Sequence, residues 1–198
     1  MLATSSGDVS ERHTNLMDRH GRRLSIYLTL PVPVAPIAVA DEVLDAATVV
    51  VVDLAEHSRP VLRAARAAGK EIWCDLHDYD GVSEFHREFV EAADCVFASS
   101  ERLPDPEAFL RERVAAGARL AVCTSGAEGA MALERGGEVV RAAAEPVAEV
   151  VDTNGAGDAF FSGFLAAHLR GDGLTECLRE GARVGAAAVR SRELAGTL

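Results

Sequence analysis

The sequence predicts an α/β fold: a mostly parallel sheet with helices on both faces. Two observations predict most of it. From residue 41 onward, short apolar runs alternate with helical patterns, and helices that stop at Gly69 and Gly117 separate them. The runs are continuously apolar, as strands covered on both faces are. Such alternation means βαβ units and parallel pairing. A third observation limits the parallel part: residues 130–134 and 138–142 flank Arg135-Gly136-Gly137, which reads as an antiparallel hairpin with a glycine turn.

The elements follow in order. Residues 1–23 are polar, carry charges of both signs, and read as a loose arm with one strand at its end. Residues 25–30 (SIYLTL) alternate and form a strand. The prolines within 31–36 make a linker, since proline cannot sit in a central strand. Strands are then expected over 48–53 (TVVVVD), 71–75 (EIWCD), 94–98 (DCVFA) and 119–124 (RLAVCT). Helices are expected over 58–68, 84–93 and 105–116. After the hairpin, a strand over 147–151 runs into a glycine-rich turn, and helices follow over 158–169 and 175–190.

The bulk numbers exclude several classes. The chain has 198 residues, enough for one domain, or one with a small appendage. Hydrophobic residues make up 48% of it, so it can bury a core. With 31 acidic residues against 20 basic ones, its formal charge is −11. Nucleic acid and anionic membrane surfaces are therefore poor partners. Cys74, Cys95, Cys123 and Cys177 form no CxxC pair and read as buried reduced thiols. No apolar run is long enough to cross a bilayer, and the polar start is not a signal peptide, so a cytoplasmic location is expected.

In an open parallel sheet, ligands bind beyond the carboxyl ends of the strands. Asp53, Asp75, Ser99 and Thr124 all lie at such ends, where each can equally be a plain terminus or a helix cap. The stretch that carries chemistry is VVDTNGAGDAFFSGFL, residues 150–165. Gly155, Ala156 and Gly157 have almost no side chain, so their backbone N–H groups can approach a ligand closely. At a helix N-terminus such groups suit an anion, here the charge of a transferring phosphoryl group. Asp158 stands in the first turn of the same helix, where a carboxylate can take the proton of an attacking hydroxyl. A capped helix with a favourable first-turn acid has the same local sequence, and Asp158 alone does not separate the two. Other phosphate motifs are absent: there is no GxxxxGK[ST], and Phe160 occupies the third glycine position of GxGxxG.

DTNGAGDAFFSGFLAA closely resembles the C-terminal signature of the ribokinase-like (PfkB) carbohydrate and nucleoside kinases, and the likeness extends over approximately residues 45–190. It implies a Rossmann-like, ribokinase-like sheet with residues 37–198 as the nucleotide-binding and catalytic domain. Residues 1–36 would be an N-terminal arm and lid remnant, with the N-terminal strands and most of the lid missing. It implies ATP-dependent phosphorylation of a hydroxyl on a sugar or nucleoside, with ATP and Mg2+ as cofactors. Asp158 matches the family's base, and Gly155, Ala156 and Gly157 match its anion hole. Thr124, Gly126 and Gly129 in CTSGAEG look like its turn beside the nucleotide, although an ordinary turn reads the same. Asp152 and Thr153 are similar to positions that help hold a monovalent cation in many relatives, and equally to helix-capping residues. Residues 181–188 match a segment packed on the adenine, or on a neighbouring helix.

Two departures stand out. Where the family carries Asn-x-x-Glu, tied to magnesium and phosphate, this chain has Ser99 and Arg102, with Glu101 one place early. Asp75, with His77 or Asp78, is a compensating set in the cleft or a solvated acidic loop. The second departure is length. Family members extend further at the N-terminus, where most substrate contacts lie. The alternative expectation is thus a truncated, catalytically inactive nucleotide-binding or interaction protein. Sheet edges left open predict association, as a homodimer.

Overall fold

The computed structural model describes residues 12–17, 23–29 and 39–191. Among these residues there are two sheets. The smaller pairs β1 (Arg12–Met17) with β2 (Arg23–Thr29) antiparallel, Leu16 facing Leu24. One strand was expected at the end of the arm over 1–23; β1 lies further back, in the part read as loose. Its His13, Thr14 and Leu16 are all exposed, so no apolar face marks it as a strand. Leu30, the linker at 31–36 and most of the arm lie outside the described residues.

The larger sheet holds β3 (Val49–Val52), β4 (Glu71–Asp75), β5 (Cys95–Ser99), β6 (Leu120–Thr124), β7 (Ala130–Glu134) and β8 (Val140–Ala142), in that spatial order. The first four are parallel, and the β7–β8 hairpin joins antiparallel, Ala130 pairing with both Thr124 and Ala142. The mostly parallel sheet is as expected. Between the strands run α2 (Arg59–Ala67), α3 (Glu84–Ala92) and α4 (Pro106–Ala115). Asp105 caps α4 by accepting from the Ala108 amide at 2.9 Å. A short helix, α1 (Asp41–Ala46), was not anticipated; acids occupy its first turn and Leu44 buries its one apolar contact.

Each central strand sends alternate side chains to opposite faces. Ile72, Cys74, Val96, Ala98, Ala121 and Cys123 meet Leu62, Phe89 and Leu110 on one side. Trp73, Cys95, Phe97, Leu120 and Val122 meet α5 (Ala156–Leu169) and α6 (Leu174–Ala188) on the other, through Phe160, Phe161, Phe164 and Leu178. All four cysteines are buried and free. Burial pushes the thiols of Cys74, Cys95 and Cys123 up to about 12. β3 lies at the margin of the sheet, with Val51 51% exposed.

The strand expected at 147–151 does not form. Val150 and Val151 are exposed, and the Val151 and Asp152 amides donate to the Val189 carbonyl at 2.8 and 3.3 Å instead of to a strand. An apolar run without a ladder partner stays irregular.

Candidate active site

β3 and β4 are neighbours with Val52 opposite Cys74, so the residues that leave their carboxyl ends, Asp53 and Asp75, lie side by side. α5 crosses above them and brings Asp158 from its first turn. A cavity of about 520 Å³ opens between these elements. Its polar floor is Asp53, Asp75, His77 and Asp158, and Val51, Phe161, Leu165 and Leu169 form its apolar wall.

His77 is the one described non-glycine residue with positive φ, 52°. Two hydrogen bonds hold that conformation. Its amide donates to Asp75 Oδ1 at 2.9 Å, and its carbonyl accepts from the Ser99 amide at 2.6 Å. The ring then stands with Nε2 3.9 Å from Asp53 Oδ1 and Nδ1 3.8 Å from Asp75 Oδ2. These distances are ion pairs rather than hydrogen bonds. One ligand-type atom each from Asp75, His77 and Asp158 lie within 4.8 Å of one another.

The charges tune one another. The Asp53 carboxylate first, then Asp75 and Asp158, raise the His77 imidazole to about 9 against the pull of burial. The same pairing holds Asp53 below the usual carboxylate range. Burial pushes Asp75 up, and the neighbouring Asp158 and Asp53 charges add to it. A protonated imidazole donates from both nitrogens and offers no lone pair. With no ion bound the trio is a charge network at neutral pH, and its three ligand-type atoms are close enough together for a cation to displace the imidazole proton. The residues at the family's magnesium position make other contacts. Ser99 Oγ accepts from the Glu101 amide at 3.2 Å. Arg102 turns to Asp80 at 3.4 Å and Asp78 at 3.7 Å. Asp78 thus faces Arg102, and of the acidic loop only Asp75 and His77 line the cavity.

The glycine turn opens α5. Gly155 adopts φ 74°, the left-handed region, which lets the chain reverse into the helix. The Ala156 amide donates to the Thr153 carbonyl at 3.3 Å, so it is already engaged. Gly155 and Gly157 amides have no acceptor among the described residues. Space above Gly157 is open: a Cβ there would meet nothing within 4 Å. Of the three amides expected to face an anion, only those of Gly155 and Gly157 are thus without an acceptor among the described residues. Asp158 is exposed, and among the described residues no donor holds its carboxylate. Asp152 Oδ1 accepts from the Asn154 backbone and side-chain amides, both at 2.9 Å, a capping geometry.

Thr124, Gly126 and Gly129 form a closed turn, Ser125 N–H to Gly129 O at 2.8 Å, and none of them lines the cavity. Gly181 and Gly185 pack against α5: Cβ atoms there would lie 3.0 Å from Phe160 and 3.2 Å from the Ala156 carbonyl. Asp53 is the cavity residue that sequence reasoning left among four equal strand ends. The signal was present in two consecutive strands that both finish in an acid.

Residues 86–197 match the profile described as pfkB family carbohydrate kinase. Acarbose 7(IV)-phosphotransferase of an Actinoplanes species is 39% identical over 93% of this chain and 63% of its own. The structure of a microbiome-derived acarbose kinase superposes with a TM-score of 0.79 at 32% identity, covering 92% of this chain and 63% of that one. Arabidopsis thaliana ribokinase, solved with ribose and ATP, shares the fold, with a TM-score of 0.72 at 21% identity over 92% of this chain and 64% of its own. The chain thus spans less than two thirds of these relatives. No helix among the described residues is long and apolar enough to cross a membrane.

Proposed function

The chain belongs to the pfkB family of carbohydrate kinases, and from that premise we propose that it transfers the γ-phosphoryl group of MgATP to a hydroxyl of a sugar or nucleoside. The magnesium arrives with the nucleotide as part of the donor. The observation that supports this reading is that Asp158, which lines the cavity, directly follows a turn in which the Gly155 and Gly157 amides have no acceptor among the described residues. Likeness to two acarbose kinases favours a carbohydrate acceptor.

Asp158 takes the proton as the acceptor oxygen attacks the γ-phosphorus, and the bond to the β-bridging oxygen breaks to release ADP. The free amides and the α5 dipole face the charge on the transferring group. The apolar wall excludes water that would otherwise compete as acceptor. Residues 37–198 act as the catalytic domain.

Asp158→Asn keeps the shape and removes the base. It is expected to lower turnover by roughly 10²–10⁴-fold while ATP binding stays within twofold by calorimetry. Near-parental turnover in that variant would sink the reading. A second reading has its own support: Arg102 occupies the Glu position of the metal motif and is tied to Asp78 and Asp80. On that reading the chain binds nucleotide without transferring phosphate. ATP binding with no phosphorylation across a sugar and nucleoside panel would select it.

A further inference from the structure

Asp75, His77 and Asp158 come from three fixed points: the end of β4, the tight turn after it and the first turn of α5. One ligand-type atom from each meets the others within 4.8 Å at the cavity floor. In a tetrahedral zinc site, ligands at about 2.0–2.2 Å from the metal stand about 3.4 Å apart. The trio therefore needs to close by no more than about 1.4 Å to hold an ion. Two carboxylates and one imidazole are three protein donors, with a fourth position open to the cavity. We propose that Asp75, His77 and Asp158 form a binding site for a divalent transition metal of the Zn2+ class, separate from the magnesium that travels with the nucleotide.

The donor set has the outer support that metal ligands use. A metal-bound histidine offers its other ring nitrogen to a carboxylate, which fixes the tautomer and the ring. Asp53, itself outside the trio, stands in that place, 3.9 Å from Nε2, while Nδ1 faces Asp75 Oδ2 at 3.8 Å. The Asp75 carboxylate is aimed in the same manner: its Oδ1 accepts from the His77 amide at 2.9 Å and leaves Oδ2 for the metal. Charge points the same way. The carboxylates of Asp53, Asp75 and Asp158 line the cavity, and no lysine or arginine lines it among the described residues. A dication supplies the missing positive charge. Binding replaces the imidazolium proton, which passes to solvent. The nitrogen donor selects the ion, since imidazole suits Zn2+, whereas Mg2+ prefers oxygen ligands and keeps its water. No thiol joins the trio, and all four cysteines are buried. A metal held here engages Asp158, so on the reading of that carboxylate as the base it lowers phosphoryl transfer.

The test titrates Zn2+ into the metal-free chain by calorimetry, with no nucleotide present and in a buffer that does not bind zinc. One Zn2+ per chain should bind at micromolar concentration or tighter, and Mg2+ roughly a hundredfold more weakly. His77→Asn, which accepts the left-handed backbone, and Asp75→Asn should each weaken Zn2+ binding by roughly tenfold or more. Asp53→Asn should weaken it by about tenfold, as loss of an outer partner does, and His57→Asn should leave it unchanged. By NMR, the ring resonances of His77 should move with Zn2+ while those of His57 stay, which decides the matter if His77→Asn does not fold. No binding to the parent, parental affinity in folded His77→Asn, unmoved His77 resonances, or Mg2+ bound as tightly as Zn2+ each overturns the site. The two readings fail separately: Zn2+ bound by the parent beside a fully active Asp158→Asn removes the base and keeps the site, whereas an inactive Asp158→Asn beside a parent that binds no Zn2+ keeps the base and removes the site.

Discussion

Gly129 lies directly beneath the carbonyl of Ala142: a Cβ at residue 129 would stand 2.1 Å from that oxygen and 2.9 Å from the Ala144 amide nitrogen. With φ at 101°, the position is also closed to L-residues on conformational grounds. Both obstacles are backbone, which cannot swing aside as a side chain can. Gly129→Ala is therefore expected to destabilise the fold by about 3 kcal/mol. Gly126, three residues earlier with φ 52° and nothing within 4 Å, should lose only about 1 kcal/mol on the same change. Urea unfolding of the two variants checks this, and equal losses would contradict it.

A second pair of glycines separates packing from ligand approach. A Cβ on Gly163 would reach Val184 Cγ2 at 2.8 Å and the Glu180 carbonyl at 2.9 Å, where α5 and α6 touch. Gly163→Ala should cost about 2 kcal/mol. Gly157→Ala meets open space and should hold or slightly raise the thermal midpoint, since alanine favours helix over glycine. It should nonetheless weaken ATP binding severalfold by placing a methyl where the phosphate approaches. Unimpaired ATP affinity in Gly157→Ala would argue that the phosphate sits elsewhere.

Stability should fall as pH rises through the alkaline side of neutrality. The His77 imidazole is raised from 6.5 to about 9 in the fold, so the stability it contributes is complete below 6.5 and is lost as pH climbs to about 9. Asp75, raised by burial, adds in the same direction as it ionises. His86 runs the other way: with its pKa lowered, it favours the fold above 6.5 and costs stability as pH drops below that value. Asp53, held low, contributes above 3.8 and is lost in stronger acid. Chemical unfolding between pH 6.5 and 9 should show a declining free energy in the parent and a flatter one in His77→Asn. A parent curve that is level or rises across that interval would rule out the paired imidazolium.

Much of the fold was legible because strand and helix announce themselves locally. TVVVVD, EIWCD and DCVFA read as apolar runs, and each matches a strand of the parallel sheet to within a residue or so. Residues 147–151 show the limit of that logic: they are apolar too, but nothing in a local pattern says whether a neighbour will supply the ladder. β1 erred in the opposite sense, a strand without an apolar face. At the site, the glycine turn and Asp158 were readable from one short segment. Asp53 beside Asp75 required knowing that β3 and β4 are adjacent, which is a property of the whole sheet. The left-handed backbone of His77 was not read from the sequence, since histidine, though enriched at positive φ, adopts it in only a minority of cases. Gly129 looked like a ligand-facing glycine, and its demand comes instead from Ala142, on a strand that follows it.

The Val189 carbonyl holds the amides of both Val151 and Asp152. The segment that leads into the glycine turn therefore takes its position from the far end of α6. During synthesis the ribosome delivers Asp158 well before Val189 emerges. The corner that holds Asp158 can be assembled only after α6 is out of the exit tunnel, so a nascent chain carries that residue before the segment ahead of it is anchored.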